Sequence, residues 1–237
     1  MQFSLSKELL SELREWIADG KDTAIAQAIY DAHPADIAEL LNELKRDEAV
    51  YVYRLLDEEK AADVMLELDD DVREKLLSSL TSREIAEELI ENIDSDDAAD
   101  VIAELPEQKQ EEVIALLEDE EQASDIIDLM TYAEGTAGSL MTPDVIVMSP
   151  DATVADALAQ IREPEILVSI AAQVFVAHAP HYPPTGTYLG VVHFQRLLRE
   201  SPQLTLGQCV EMEATISPTM TEREVAERLA SYNLLAV

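Results

Sequence analysis

Asp96 and Asp100 stand four residues apart in the run Asp94-Ser95-Asp96-Asp97-Ala98-Ala99-Asp100. On a helix that spacing sets both carboxylates on one face. Carboxylates so placed suit a hydrated Mg2+ ion, which takes only one or two protein carboxylates and keeps several waters. A second reading needs no ion. Asp94 or Ser95 caps the helix, and Asp96 and Asp97 complement the positive end of its dipole. A calcium loop of the EF-hand type is excluded, because after Asp94 and Asp96 the next ligand positions fall on Ala98 and Leu105. His178 and His181 share a proline-rich loop with no third ligand nearby, whereas transition-metal sites need three or four. With no glycine-rich phosphate loop, no Ser-His-Asp order, no nucleophile elbow and a lone Cys209, the chain is read as a non-enzyme.

The charge around these residues is lopsided. The chain carries a net charge of −34. Residues 1–135 hold 39 Asp/Glu against 11 Lys/Arg (net −28), and residues 136–237 hold 11 against 5 (net −6). Such a block repels nucleic acid and anionic lipid, and it draws cations. Each close like-charge pair costs about 1 kcal/mol in water, and a shared divalent cation relieves that cost. The alternative is a general adaptation to high salt, which fits the six Lys (Lys7, Lys21, Lys45, Lys60, Lys75, Lys109). Salt adaptation, however, acidifies a whole chain, and residues 136–237 are only mildly acidic. The local role for the charge is therefore preferred.

Length and composition set the frame. A chain of 237 residues, 47% hydrophobic, builds one large or two modest globular domains. One cysteine excludes an intramolecular disulfide and suits a reducing compartment. Met1-Gln2-Phe3-Ser4-Leu5-Ser6 lacks the pattern of a signal peptide. The most apolar stretch, Ile166 to Ala177, is interrupted by Ser169 and Gln173 and is far short of the ~20 residues that span a bilayer.

From Leu5 to Met130 the apolar residues recur at three- and four-residue steps, as in Ile37, Leu40, Leu41, Leu44, which predicts helix throughout. A short phrase repeats there: Ala35-Asp36-Ile37, Ala62-Asp63-Val64, Ala99-Asp100-Val101, Ser124-Asp125-Ile126. The uneven intervals fit stacked helical hairpins, with the small residue allowing close packing, and leave the hand of the superhelix open. Trp16 with Leu9, Leu10, Leu13 and Ile17 reads as core. Beyond Gly135 the pattern becomes α/β. Strands are predicted at Val145–Met148, Gln173–Ala177, Tyr188–His193 and Thr215-Ile216, with helices over Val154–Ile161 (capped by Thr153), about Phe194–Glu200, and Thr221–Tyr232. A last strand, Leu234–Val237, has nothing after it, which suggests a fragment.

Two stretches carry a family likeness. Ala137-Gly138-Ser139-Leu140-Met141-Thr142-Pro143, Thr153-Val154-Ala155-Asp156-Ala157-Leu158 and Leu189-Gly190-Val191-Val192 resemble a CBS domain, and Thr221 to Val237 resembles the first half of a second copy. Upstream, His33-Pro34-Ala35-Asp36-Ile37-Ala38-Glu39-Leu40-Leu41 and Asp96-Asp97-Ala98-Ala99-Asp100 resemble the N-terminal helical domain of MgtE-type magnesium transporters. The resemblance implies an α + α/β architecture. Residues 1–131 would form an acidic all-α helical superhelix, 132–204 a first CBS motif, and 205–237 a truncated second one. It also implies the cytosolic, Mg2+-sensing regulatory region of a homodimeric magnesium channel, soluble itself and lying at the cytoplasmic face of the membrane. Its partners would be Mg2+ and a transmembrane pore domain, not nucleic acid. In that family Mg2+ bridges the helical and CBS parts and holds the pore closed. The ligands carried over are the carboxylates of Asp63, Asp96 and Asp100 and the backbone carbonyl of Gly138.

Departures from the family pattern are informative. Thr221, Arg223 and Asn233 stand where the second CBS helix of well-known members carries acids, so Mg2+ control here rests more on the helical part. Arg196 stands where an acid usually holds a nucleotide ribose, and Leu234 where some relatives have an adenine-stacking ring, which argues against nucleotide binding. The rival readings are a soluble helical-repeat/CBS scaffold and an adenine-nucleotide-sensing module.

Overall fold

The computed structural model describes residues 6–163, 166, 170–181 and 185–232. The chain divides into two compact units, residues 1–127 and 128–237. No helix among the described residues is long and apolar enough to cross a membrane.

The first unit is helical, as the periodicity predicts. Its helices are α1 (Lys7–Asp19), α2 (Asp22–Ile29), α3 (Pro34–Asn42), α4 (Arg46–Tyr53), α5 (Glu58–Leu66), α6 (Asp70–Leu77), α7 (Ser82–Glu84), α8 (Ser95–Ala103), α9 (Glu107–Ile114) and α10 (Glu120–Leu129). Local chemistry sets their ends. Ser6 accepts from the Leu9 N–H to start α1, and Gly20, at φ 64°, closes it in the left-handed conformation. Asp57 caps α5 by accepting from the Lys60 N–H at 3.0 Å. Helix α7 widens into a π turn, Ile85–Leu89, which sets Ile85, Ala86 and Leu89 into the core, and Asn92 Nδ2 returns to the Glu88 carbonyl at 3.2 Å. Leu13 is fully buried, while Trp16 and its apolar neighbours are half-buried.

The repeated phrase falls on α3, α5, α8 and α10. Its third residue is buried in all four (Ile37, Val64, Val101, Ile126). The small first residue is buried at Ala62 and Ala99 but exposed at Ala35 and Ser124, so close packing through it holds for α5 and α8 only.

Side chains of this unit reach about one repeat along the chain to tie the helices together. Arg14 Nη2 donates to the Glu43 carbonyl at 3.1 Å, 29 residues away. Lys60 Nζ donates to the Tyr30 carbonyl, 30 away. Lys109 Nζ donates to the Leu77 and Leu80 carbonyls at 2.9 and 2.7 Å, 32 and 29 away. Gln122 Nε2 does the same for Ile90 and Ile93 at 3.0 and 3.1 Å. These carbonyls lie at or just past the ends of helical turns, where intrahelical donors run out; of them Ile90 also receives the Ile93 N–H, at 3.4 Å.

In the second unit three strands form one mixed sheet in the order β1 (Val147–Met148), β2 (Gln173–His178), β3 (Thr187–His193). β1 runs parallel to β2, and β2 pairs antiparallel with β3, with Gln173 opposite His193 and Phe175 opposite Val191. Helix α11 (Val154–Gln160) begins at a Thr153–Asp156 capping box, with Thr153 N–H to Asp156 at 2.9 Å. Helices α12 (Phe194–Leu197), α13 (Leu206–Cys209) and α14 (Glu222–Tyr232) follow. Ile146, Val154, Ala157, Val174, Val176, Val192, Leu197, Leu206 and Cys209 form the core.

Several boundaries differ from expectation. The first strand keeps only Val147 and Met148; Ile146 is buried, and its carbonyl accepts from the Phe175 N–H at 2.8 Å. His178 closes β2 instead of opening the loop, and α12 stops at Leu197. Helix α13, whose Thr205 N–H donates to Gln208 Oε1 at 3.2 Å, was too short to show a period. Thr215-Ile216 is not a strand. The chain bridges to β3 earlier, at Glu211 opposite Val191, and Pro218 lies two residues beyond Ile216, leaving too few residues for a ladder. The expected strand Leu234–Val237, like Asn233, lies outside the described residues.

Gly190 makes the bridge possible. Its φ is 146°, and a Cβ there would stand 2.3 Å from the Glu211 carbonyl oxygen. Gly190→Ala is therefore expected to cost about 1–3 kcal/mol in urea unfolding of the second unit. In the first unit, Lys109→Met withdraws a charged donor from two carbonyls. It is expected to lower stability by about 1–3 kcal/mol in the same measurement.

Candidate functional site

Helix α8 begins where Asp94 takes the extended N-cap conformation (φ −66°, ψ 155°) and its carbonyl receives the Ala98 N–H at 2.9 Å. Ser95, Ala98, Ala99, Val101 and Ile102 face the core. Asp96 and Asp97 are left half-buried and Asp100 exposed. The result is four carboxylates within seven residues, three of them at the positive end of one helix and Asp100 one turn further in.

The crowding is measurable at Asp97. Partial burial holds its carboxyl above the usual carboxylate range, and the charges of Asp96, Asp94 and Asp100 push it further the same way. Asp97 was read from the sequence only as a dipole partner. Its inward tilt, which follows from packing and not from spacing, makes it the carboxylate that most directly reports the local field.

Asp96 and Asp100 are thus brought into one charge cluster, as their spacing predicts. Asp63 lies on α5, exposed between buried Ala62 and Val64, and is not among the charges acting on Asp97. Gly138 belongs to the second unit. Its N–H donates to the Pro218 carbonyl at 2.8 Å, and a Cβ there would stand 2.3 Å from the Tyr132 ring, so only glycine fits.

Where the cations go sharpens the picture. Lys21 pairs with Asp19 at 2.7 Å, Lys75 with Asp71 at 2.6 Å, Arg83 with Glu87 at 2.8 Å, and Arg54 with Glu84 at 3.6 Å. Arg73 bonds both Asp70 (2.9 Å) and Glu104 (2.7 Å). Arg14, Lys60 and Lys109 serve backbone carbonyls. Arg14, Lys60, Arg73 and Lys109 join different helices, while Lys21, Lys75 and Arg83 pair locally.

Among the described residues no group of three or more His, Cys, Asp or Glu side chains is arranged to hold a metal ion. The α8 donor set is all oxygen and offers few carboxylates at once. It fits a hard cation that keeps most of its water, not a fully protein-ligated metal. Two of the four histidines have local hydrogen-bonding places. His33 Nδ1 accepts from the Ala35 N–H at 3.3 Å, and His193 Nε2 meets Glu213 at 2.8 Å. Arg196 pairs with Glu200 and Glu211 at 2.7 and 2.9 Å, and Arg223 with Glu227 at 3.1 Å.

Comparison with known proteins agrees with this architecture. Residues 32–135 match the family model of the MgtE intracellular N domain. No protein of curated function matches the chain in sequence. The crystal structure of the soluble part of a magnesium transporter is similar at 18% identity and a TM-score of 0.71, over 96% of this chain and 88% of that one. The crystal structure of the cytosolic domain of the Mg2+ channel MgtE in complex with ATP is similar at 25% identity and a TM-score of 0.78, over 95% of this chain and 90% of that one. Residues 32–135 of this chain are thus similar to the MgtE intracellular N domain, in a fold like that of the soluble part of a magnesium transporter.

Proposed function

We propose that this chain is the cytosolic Mg2+-sensing regulatory region of a magnesium transporter or channel, acting without catalysis at the cytoplasmic face of the membrane. The observation that carries the reading is the α8 carboxylate cluster, where Asp97 is held above the usual carboxylate range by burial and three neighbouring acids. A cation at Asp96 and Asp100 lowers that repulsion. When Mg2+ is plentiful the acidic helices settle together and the pore is held closed; when it falls, repulsion drives them apart. Mg2+ shifts this balance only through its preference for the compact state. Asp63 and the Gly138 carbonyl are the remaining proposed ligands, and a second copy of the chain and a transmembrane pore domain the proposed partners.

A second reading comes from the relative crystallised with ATP. Nucleotide binding is the weaker proposal here, because Arg196 stands at the ribose-acid position and is already paired with Glu200 and Glu211. Equilibrium dialysis with ATP is expected to show no saturable binding, and tight binding would favour the nucleotide sensor.

The direct test is thermal unfolding in MgCl2 against NaCl of equal ionic strength. Mg2+ is expected to raise the midpoint well beyond the NaCl control, since a ligand specific to the native state stabilises it by mass action. Asp96→Asn with Asp100→Asn should remove that excess, together with any Mg2+-dependent compaction in small-angle scattering. Equal responses to the two salts would reduce the acidity to a screened surface.

Asp97 supplies a pH signature. A carboxyl raised in the folded state opposes folding once it ionises, so its penalty is present at neutral pH and vanishes as pH falls below the usual carboxylate value of about 4. Asp97→Asn is therefore expected to raise the midpoint at pH 7 without Mg2+ and to lose that gain near pH 3.5.

A further inference from the structure

The segment Glu211–Ser217, which leads from α13 toward α14, is fastened to the sheet by polar contacts. Glu211 exchanges backbone hydrogen bonds with Val191 at 2.8 and 2.9 Å, and its side chain takes Arg196 at 2.9 Å. Two residues on, Glu213 Oε1 accepts from His193 Nε2 at 2.8 Å, with both side chains largely buried. Because a carboxylate only accepts, the Nε2 proton is fixed on that side, and a neutral imidazole then presents Nδ1 as a bare acceptor.

Directly opposite His193 in the ladder stands Gln173, 7% exposed, whose Oε1 is buried without a hydrogen-bond partner. Opposed residues of an antiparallel pair share one face of the sheet. An unsatisfied buried acceptor is costly, and here it belongs to the residue paired in register with the one whose ring nitrogen can gain a hydrogen.

We propose that Gln173, His193 and Glu213 form a proton-operated clasp that tightens the Glu211–Ser217 segment onto β3 when His193 is protonated. Protonation gives Nδ1 a hydrogen for the Gln173 oxygen and converts the Nε2–Glu213 bond into a charge-assisted one. The other groups around the clasp are Tyr188, whose hydroxyl meets the backbone N–H and charge of Glu213, and the Arg196–Glu200–Glu211 cluster at the start of the segment. Among side chains, imidazole is the type whose charge changes between pH 5 and 8, so it is the moving part. The inference does not depend on Mg2+ sensing.

Hydrogen exchange of the backbone amides over residues 211–217, corrected for intrinsic rates, tests it at pH 5.5 and pH 8 in the intact chain. Protection is expected to be about fivefold greater at pH 5.5, the gap between a charged and a neutral hydrogen bond. His193→Gln keeps a neutral donor and is expected to exchange at the pH 8 rate in both buffers. Gln173→Met, which withdraws the acceptor, is expected to shrink the difference. Equal protection of the parent chain at both pH values, or an undiminished difference in H193Q or Q173M, would overturn the clasp.

Discussion

The helical unit depends on a small supply of donors placed against helix ends. A stack of short helices leaves carbonyls uncovered at every turn, and buried carbonyls without donors are costly. Lys109 meets two of them, Gln122 two more, and Arg14 and Lys60 one each. Burial lowers the proton affinity of the Lys109 amine, with Glu112 and Glu84 acting in the opposite direction. These long side chains deliver their donors to carbonyls about thirty residues away in sequence.

That use of the basic residues shapes the acidic surface. With 11 Lys/Arg against 39 Asp/Glu in residues 1–135, every cation assigned to a carbonyl or to the ends of α6 and α7 is one fewer near α8. At α8 the helix-capping acids and the repeated phrase coincide. Asp100 belongs to the phrase, while Asp94, Asp96 and Asp97 belong to the helix start. Their overlap in one helix sets the crowded field on Asp97.

Much of this was legible in the residues themselves. The helical periodicity, the Thr153 cap, β2 and β3, and the shared face of Asp96 and Asp100 all follow from local rules that the tertiary structure leaves intact. The likeness of residues 32–135 to the MgtE N-terminal domain was likewise written in short motifs. What was hidden depends on long-range partners. Ala35 and Ala62 sit in the same phrase yet differ in burial, because the phrase does not record which side the neighbouring helix occupies. Thr215-Ile216 has strand-forming residue types but no partner to pair with. The ties from Lys109 and Gln122 join residues about thirty apart, a distance at which no spacing rule operates.

That regular reach of 25 to 32 residues has a kinetic side. Each fastening needs only roughly thirty further residues of chain to be present before it can close, so its contacts stay short in sequence and low contact order favours fast folding. The acidic helices can then be locked to their predecessors one after another. The full negative charge need not be compressed in a single collapse.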